Sequence, residues 1–522
     1  MYGMASLTAV ARERRPTVLA VRLLLLVSGA KLLLHLALAN RYGYFRDELY
    51  FLDCGRHLDW GYVDHAPMIG LVARLALLLG GSLPVLRGIA ALAGAGLVAL
   101  TMLITWRLGG GRFAQGLAGL ALIVSPIFLG TDSLLTMNAF EPLFWMGCVY
   151  AIVRILDGGD SRFWLAFGTL LGLGLMNKHS TVFFGVAVAA AVLLTPARRE
   201  LTKPWPWLGA LLALALFLPN VVWQIRHDFP TLEDLRNVSR IGKSVVLGPV
   251  DFVAQQVLVL HPVLLPVWVA GLAWLFRARA GCFRCLGWTW VVFFVLLFVL
   301  KGKNYYLAPI YPMLFAAGAV AIAEGFERWP ITAGRSWPQA TSLGVILLAG
   351  GITAPLALPL LSPERYIAYE KALGFAPPKT EVAHRGPLPQ IFGDQFGWPE
   401  LVAEVARIYQ ALPAEERSRA AIFANNYGEA GAINLFGPRY ALPPAVSGHQ
   451  TYFFWGPQGA SGDVSIVLQD SRESLEAQCA SVEEAGVHHH PWGMEEENNP
   501  IYICRGLKTS LAEAWPRLKH WN

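Results

Sequence analysis

Apolar residues run through this chain in blocks near twenty long, separated by short polar connections. Such blocks fall at about 17–39, 84–106, 113–130, 139–156, 163–176, 181–194, 207–223, 252–276, 286–300, 306–323 and 341–361. A helix of about twenty apolar residues crosses roughly 30 Å of hydrocarbon, so roughly eleven transmembrane helices are predicted, the fifth and sixth being short. One connection breaks the pattern. Residues 40–67, NRYGYFRDELYFLDCGRHLDWGYVDHAP, place Arg41, Arg46, Asp47, Glu48, Asp53, Arg56, His57, Asp59, Asp64 and His65 between two greasy blocks. Tyr44, Phe45, Leu49, Tyr50, Leu52 and Leu58 give it an approximate helical stripe, which predicts a helix lying in the membrane interface. After residue 361 the blocks stop. Charges, prolines and glycines rise, apolar stretches at 421–423 and 464–468 predict strands, and 400–412 predicts a helix. The fold expected is an all-α polytopic membrane domain, 1–361, with interfacial helices in its first outer loop. A small α/β domain, 362–522, follows outside the membrane.

Composition agrees with the pattern. Of 522 residues, 55% are hydrophobic and 15% charged, and mean hydropathy is +0.45. That excludes an ordinary soluble protein. The net charge of +6 is spread thinly, which suits lipid headgroups and offers no clustered tract for nucleic acid. Arg12, Arg14 and Arg15 precede an apolar run too long for a cleaved leader, so the segment is expected to be a signal anchor. With the N-terminus inside, Arg107, Arg112, Arg162, Arg198, Arg199, Lys203, Arg277, Arg279, Arg284, Arg328 and Arg335 fall on cytoplasmic connections, as the positive-inside rule asks. Eleven spans then put Asp47, Glu48, Asp64, His65, Asp132, Lys178, His179, His227, Asp228, Lys301 and Lys303 together on the outer face. The Pro/Trp-rich KPWPW at 203–207 is expected to anchor an interface.

The candidate chemistry lies in that outer set. The adjacent carboxylates Asp47 and Glu48 are suited to general-base work on a hydroxyl or amine, or else to an interfacial acidic pair neutralised by Arg41 and Arg46. Asp132 ends one span as a helix N-cap, a site residue, or both. Glu141 is too costly to face lipid and is expected to face the bundle interior. Lys178, Lys301 and Lys303, with Tyr305 and Tyr306, offer ammonium and hydroxyl donors at headgroup depth, as a phosphate leaving group requires; the plain alternative is snorkelling with an aromatic belt. Arg46, Asp64 and His65 are candidates for shaping the acceptor site. A divalent cation is the one cofactor His57, Asp64 and His65 would take, yet their spacing matches no dedicated metal signature. His488, His489 and His490 read as a polar surface tract. Cys282 and Cys285 form a lone CxxC, and Cys479 and Cys504 are placed for a disulfide in an oxidising compartment.

In order, RDELYF, DWGYVDHAPMI, TDSLLTMNAFEPLFW, GLGLMNKHS and KNYYLAPIYP resemble the GT-C glycosyltransferases of the protein O-mannosyltransferase and lipid A aminoarabinose transferase type, over most of 44–312. NNYGEAGAINLFGPRY and SGHQTYFFWG resemble the outer domain that often closes bacterial members. The resemblance implies a multi-pass inner-membrane enzyme that moves a sugar, with inversion, from a polyprenyl-phosphate donor to an extracytoplasmic lipid, glycan or protein. It implies that Asp47 occupies the catalytic acidic position of the first outer loop, with Glu48 completing the Asp-Glu pair, and that Asp132 is the second acidic position. Lys301, Lys303 and Tyr305 or Tyr306 fall where donor-phosphate contacts are expected. The extra sugar-binding repeats of the eukaryotic protein mannosyltransferases are missing, which points away from a protein acceptor. The competing class is a transporter or lipid flippase, for which ionisable residues at mid-membrane and an internal repeat are expected; neither pattern is found.

Overall fold

The computed structural model describes residues 17–522 except 244, 278–281, 376, 379–380 and 383–384. The anchor arginines Arg12, Arg14 and Arg15, and Arg279, lie outside the described residues. The chain is mostly helical and forms two compact units. The first gathers Met1–Ala39, Leu86–Val221 and Val246–Leu360; the second gathers Asn40–Val85, Val222–Val245 and Leu361–Asn522. Contacts thus group the chain differently from a single cut after residue 361. The first loop and a short segment near residue 230 pack with the C-terminal residues.

The first unit is a bundle of apolar helices. Each of the eleven predicted blocks is helical, but fewer qualify as spans. Among the described residues, six helices are long and apolar enough to cross a membrane, or up to eight if two bent pairs each count once. The block at 113–130 breaks at Ser125, ahead of Pro126, and that at 252–276 bends by 94° at His261–Pro262. Proline lacks the N–H a continuous helix needs and disfavours helical geometry in the residue before it. Hydropathy averaging does not register such breaks. Phe163–Asn177 has 15 residues, about 22 Å at 1.5 Å per residue, too short to cross unaided. Small residues bring the helices close, as in other membrane bundles. A Cβ on Gly318 would stand 1.9 Å from the Val267 carbonyl oxygen, and one on Gly168 2.0 Å from that of Gly209. Trp145 fills the core, stacked on Phe184 at 4.5 Å and edge-on to Phe293 at 5.0 Å.

The second unit is α/β. Strands β1 (Ala420–Phe423), β2 (Ala445–Val446), β3 (Val464–Leu468), β4 (Cys479–Val487) and β5 (Pro500–Leu507) form one sheet of order β2-β1-β3-β5-β4. β1 pairs parallel with β2 and β3, while β5 runs antiparallel to β3 and β4. β3 is buried at every position, as a central strand should be. Cys479 and Cys504 are bridged across β4 and β5. Helix Trp398–Ala411 matches its expected position within two residues. The histidine tract is not uniformly superficial: His488 is buried. Cys282 and Cys285 are not bridged, and Cys285 is buried.

Two helices of this unit meet through glycines. Arg46–Arg56 is a helix, as expected for the first loop, and buries Glu48 through Gly55. Tyr427–Phe436 begins at Asn426, whose side chain accepts from the amides of Gly428 and Glu429 while Glu429 accepts from the Asn426 amide. That reciprocal cap fixes where the helix starts. A Cβ on Gly428 would meet Arg46 Cγ at 2.5 Å, and one on Gly431 the Leu49 backbone at 2.8 Å. Small residues three apart therefore let the two backbones approach.

Candidate active site

The cap of Tyr427–Phe436 makes Tyr427 its first residue, and the glycine contact carries that residue to the start of Arg46–Arg56. The Tyr427 hydroxyl donates to Asp47 Oδ1 at 2.9 Å. The same ring lies under the Arg46 guanidinium, 5.3 Å from its centroid. Arg46 faces two further carboxylates, Glu497 at 3.9 Å and Asp394 at 4.0 Å. Both Asp394 oxygens are buried without a hydrogen-bond partner among the described residues. Burial pushes the Asp47 carboxyl above its ordinary range, opposed by Arg46 and by the Tyr427 hydrogen bond. Burial likewise raises Asp394 to about 7 against the pull of Arg46. A carboxylate held this way is a stronger base than one in water.

Glu48, at the third helical position, spends a carboxylate oxygen on the helix itself. It accepts from the Phe45 amide at 2.9 Å and is fully buried. Its geometry is that of a cap. Further along, Tyr50 hydrogen-bonds Asp64 Oδ1 at 2.9 Å and Thr451 Oγ1 at 2.6 Å. Burial raises Asp64 to about 7. His65 is buried with Nδ1 2.9 Å from the Ala66 carbonyl oxygen, and burial lowers it to about 4, so it is neutral at physiological pH. Asp53 is buried and accepts from Asn434 at 2.7 Å, from the Tyr452 hydroxyl and from Arg56. Among the described residues, no three His, Cys, Asp or Glu side chains come together to hold a metal.

The remaining candidates belong to the first unit. Asp132 does not cap the following helix. That role falls to Thr136, whose side chain accepts from Asn138, because a turn intervenes after Asp132. Asp132 instead pairs at 2.9 Å with Lys31, both side chains about 1% exposed. Lys31 also donates to the Phe128 carbonyl at 2.8 Å. Glu141 is buried, as expected, and pairs with Lys178 at 3.1 Å while accepting from Ser180. Lys178 also donates to Asn138 Oδ1 at 2.8 Å and lies over the rings of Tyr306 (4.6 Å) and Tyr305 (5.8 Å). Three of the proposed phosphate contacts, Lys178, Tyr305 and Tyr306, are therefore neighbours although far apart in sequence. Lys301 is exposed, and Lys303 leads into the 3-10 turn Asn304–Ile310.

Sequence reasoning missed Tyr427, Asp394 and Lys31 as partners of these groups. Lys31 carried a usable signal, since a lone lysine inside an apolar block needs a counter-charge. Tyr427 lies in NNYGEAGAINLFGPRY, which marked the outer domain but not a partner for Asp47; only the folded approach at Gly428 and Gly431 brings it there.

A bundle of apolar helices, and an α/β unit built around the helix that bears the acidic pair, describe a multi-pass membrane protein. A family model described as dolichyl-phosphate-mannose-protein mannosyltransferase matches residues 64–223. Lipid A galacturonosyltransferase RgtD of Rhizobium johnstonii is 27% identical over 233 residues, 42% of this chain and 47% of RgtD. The match thus spans about half the length of that relative. The crystal structure of ArnT from Cupriavidus metallidurans bound to undecaprenyl phosphate is similar with a TM-score of 0.62 at 16% identity, covering 93% of this chain and 98% of that one. Its apo form gives 0.61 at 17% identity, covering 92% and 97%. At such identities the likeness is one of fold.

Proposed function

We propose that the protein transfers a sugar, with inversion, from a polyprenyl-phosphate donor to an acceptor outside the cytoplasm. The observation that carries this reading is Asp47, a partly buried carboxylate fixed by Tyr427 at the start of helix Arg46–Arg56. In the step proposed, the acceptor oxygen or nitrogen attacks the anomeric carbon and gives its proton to Asp47. The bond from that carbon to phosphate breaks, and polyprenyl phosphate leaves with the bonding pair. The cationic Lys178, with Tyr305 and Tyr306, and the segment holding Lys301 and Lys303 are the proposed contacts for the departing phosphate. Fixed donors at developing charge are worth on the order of a few kcal/mol each. Asp132, held by Lys31, and Glu48, holding the helix start, act through structure. Arg46, Asp64 and His65 shape the acceptor side.

The name of RgtD and the ligand bound to ArnT support a lipid-linked donor and, of the acceptor classes considered, favour a lipid. The location proposed is the inner membrane, with Asp47 and residues 362–522 on the extracytoplasmic side. The test is transfer in detergent from a panel of radiolabelled polyprenyl-phosphate sugars to extracted envelope lipids. Label moving from donor to a second lipid supports the reading. Uptake of label into proteoliposomes without covalent transfer would replace it with transport.

A further inference from the structure

The C-terminal third of the chain contributes side chains that no catalytic motif in the sequence announces. Tyr427 touches both residues at the head of helix Arg46–Arg56. Its hydroxyl donates to Asp47 at 2.9 Å and its ring carries Arg46. Its backbone is fixed independently, since the Tyr427 amide donates to His449 Nδ1 at 3.1 Å and Asn426 caps the turn. His449 stacks on the Tyr427 ring at 5.1 Å, and Tyr50 packs on it at 5.0 Å. The hydroxyl is therefore aimed by four neighbours before it meets the carboxylate. Such over-determination is what a group needs if it is to hold a base in one rotamer.

We infer that Tyr427 is the positioning residue for Asp47, holding one carboxylate oxygen so that the other faces the acceptor proton. This rests on the assignment of Asp47 as base. It goes further, because it makes residues beyond 361 a working part of the site. The titratable and charged groups around Asp47 are Arg46 on its own helix, Glu381 and Asp394 from the C-terminal segment, Lys243 from the segment near 230, and Asp64 and His65 from the same loop. Of these, Arg46, Lys243 and the Tyr427 hydrogen bond favour the ionised carboxylate, while Glu381 and burial oppose it. Removing the hydroxyl therefore makes Asp47 hold its proton to higher pH.

The experiment compares wild type, Tyr427→Phe and Asp47→Asn, each checked for monodisperse folding in detergent. The phenylalanine ring keeps the packing against Arg46, Tyr50 and His449. In Tyr427→Phe, kcat at pH 7 should fall about tenfold or more, the worth of one hydrogen bond to a charged group, with KM for donor little changed. The acid limb of its pH–rate profile should move to higher pH. A readout without turnover is the infrared carboxyl band absent from Asp47→Asn, whose titration midpoint should rise in Tyr427→Phe. An unmoved midpoint with wild-type kcat overturns the role of Tyr427 while leaving Asp47 as base. An active Asp47→Asn overturns the base assignment itself.

Discussion

Lys31, inside the apolar helix Val21–Leu38, and Asp132, in the turn after Pro126–Thr131, form a salt bridge at 2.9 Å with side chains about 1% exposed. Gly94 packs against it so tightly that a Cβ there would stand 2.5 Å from Asp132 Oδ2. Little room exists for either charge to find another partner. Removing one member of such a pair strands the other in low dielectric and costs about 3–5 kcal/mol. Lys31→Met also forfeits the donation to the Phe128 carbonyl, about 1 kcal/mol more. The double variant Lys31→Met, Asp132→Leu leaves no stranded charge and should stand within about 1 to 2 kcal/mol of wild type. Two singles summing to about 7–11 kcal/mol against so small a double cost give a coupling of several kcal/mol. Unfolding in mixed detergent, followed by tryptophan fluorescence, measures the cycle, and transfer assays on the same preparations measure activity. If Asp132 serves only to hold Lys31, the double variant recovers transfer along with stability. Additive singles, or a Lys31→Met protein as stable as wild type, would refute the reasoning. A stable but inactive double variant would return Asp132 to the catalytic set.

Gly431→Ala places a methyl 2.8 Å from the Leu49 backbone; it should cost about 1–3 kcal/mol and reduce transfer by displacing Tyr427 from Asp47. Thermal unfolding and the transfer assay check both effects, and an unperturbed variant would deny the close approach. Asp394 is raised from 3.8 to about 7. The folded state therefore holds this proton more tightly than the unfolded state. The resulting stabilisation is complete below about pH 4 and is lost as pH rises through 7. Asp394→Asn should flatten the fall of melting temperature between pH 5 and 8, and an unchanged slope would remove Asp394 from that account.

The apolar blocks foretold the described α-helices of the first unit, because burial in lipid imposes composition over a whole turn-by-turn length; the 3-10 helix Pro196–Thr202 falls outside them. The breaks inside two of them, at Ser125 and His261, turn on single prolines that averaging erases. The head of helix Arg46–Arg56 was visible in RDELYF, since so many charges between two greasy blocks demand a reason. The separate duties of Asp47 and Glu48 were not. Adjacent in sequence, they diverge only because the helix begins at Phe45, which turns Glu48 back onto its own backbone. Lys178 with Tyr305 and Tyr306 was anticipated as a set, whereas the Glu141 and Asn138 partners of Lys178 were set by folding. Asp394, Tyr427 and Glu497 lie too far along the chain for spacing to link them to Arg46.

The central claim is that the Asp47 carboxylate takes the acceptor's proton, and single-turnover transfer with purified Asp47→Asn tests it most directly. Using whichever labelled donor the wild type consumes, the variant should bind donor normally and transfer at least about a hundredfold more slowly, the usual worth of a positioned base. A folded Asp47→Asn protein that transfers at the wild-type rate would contradict the account.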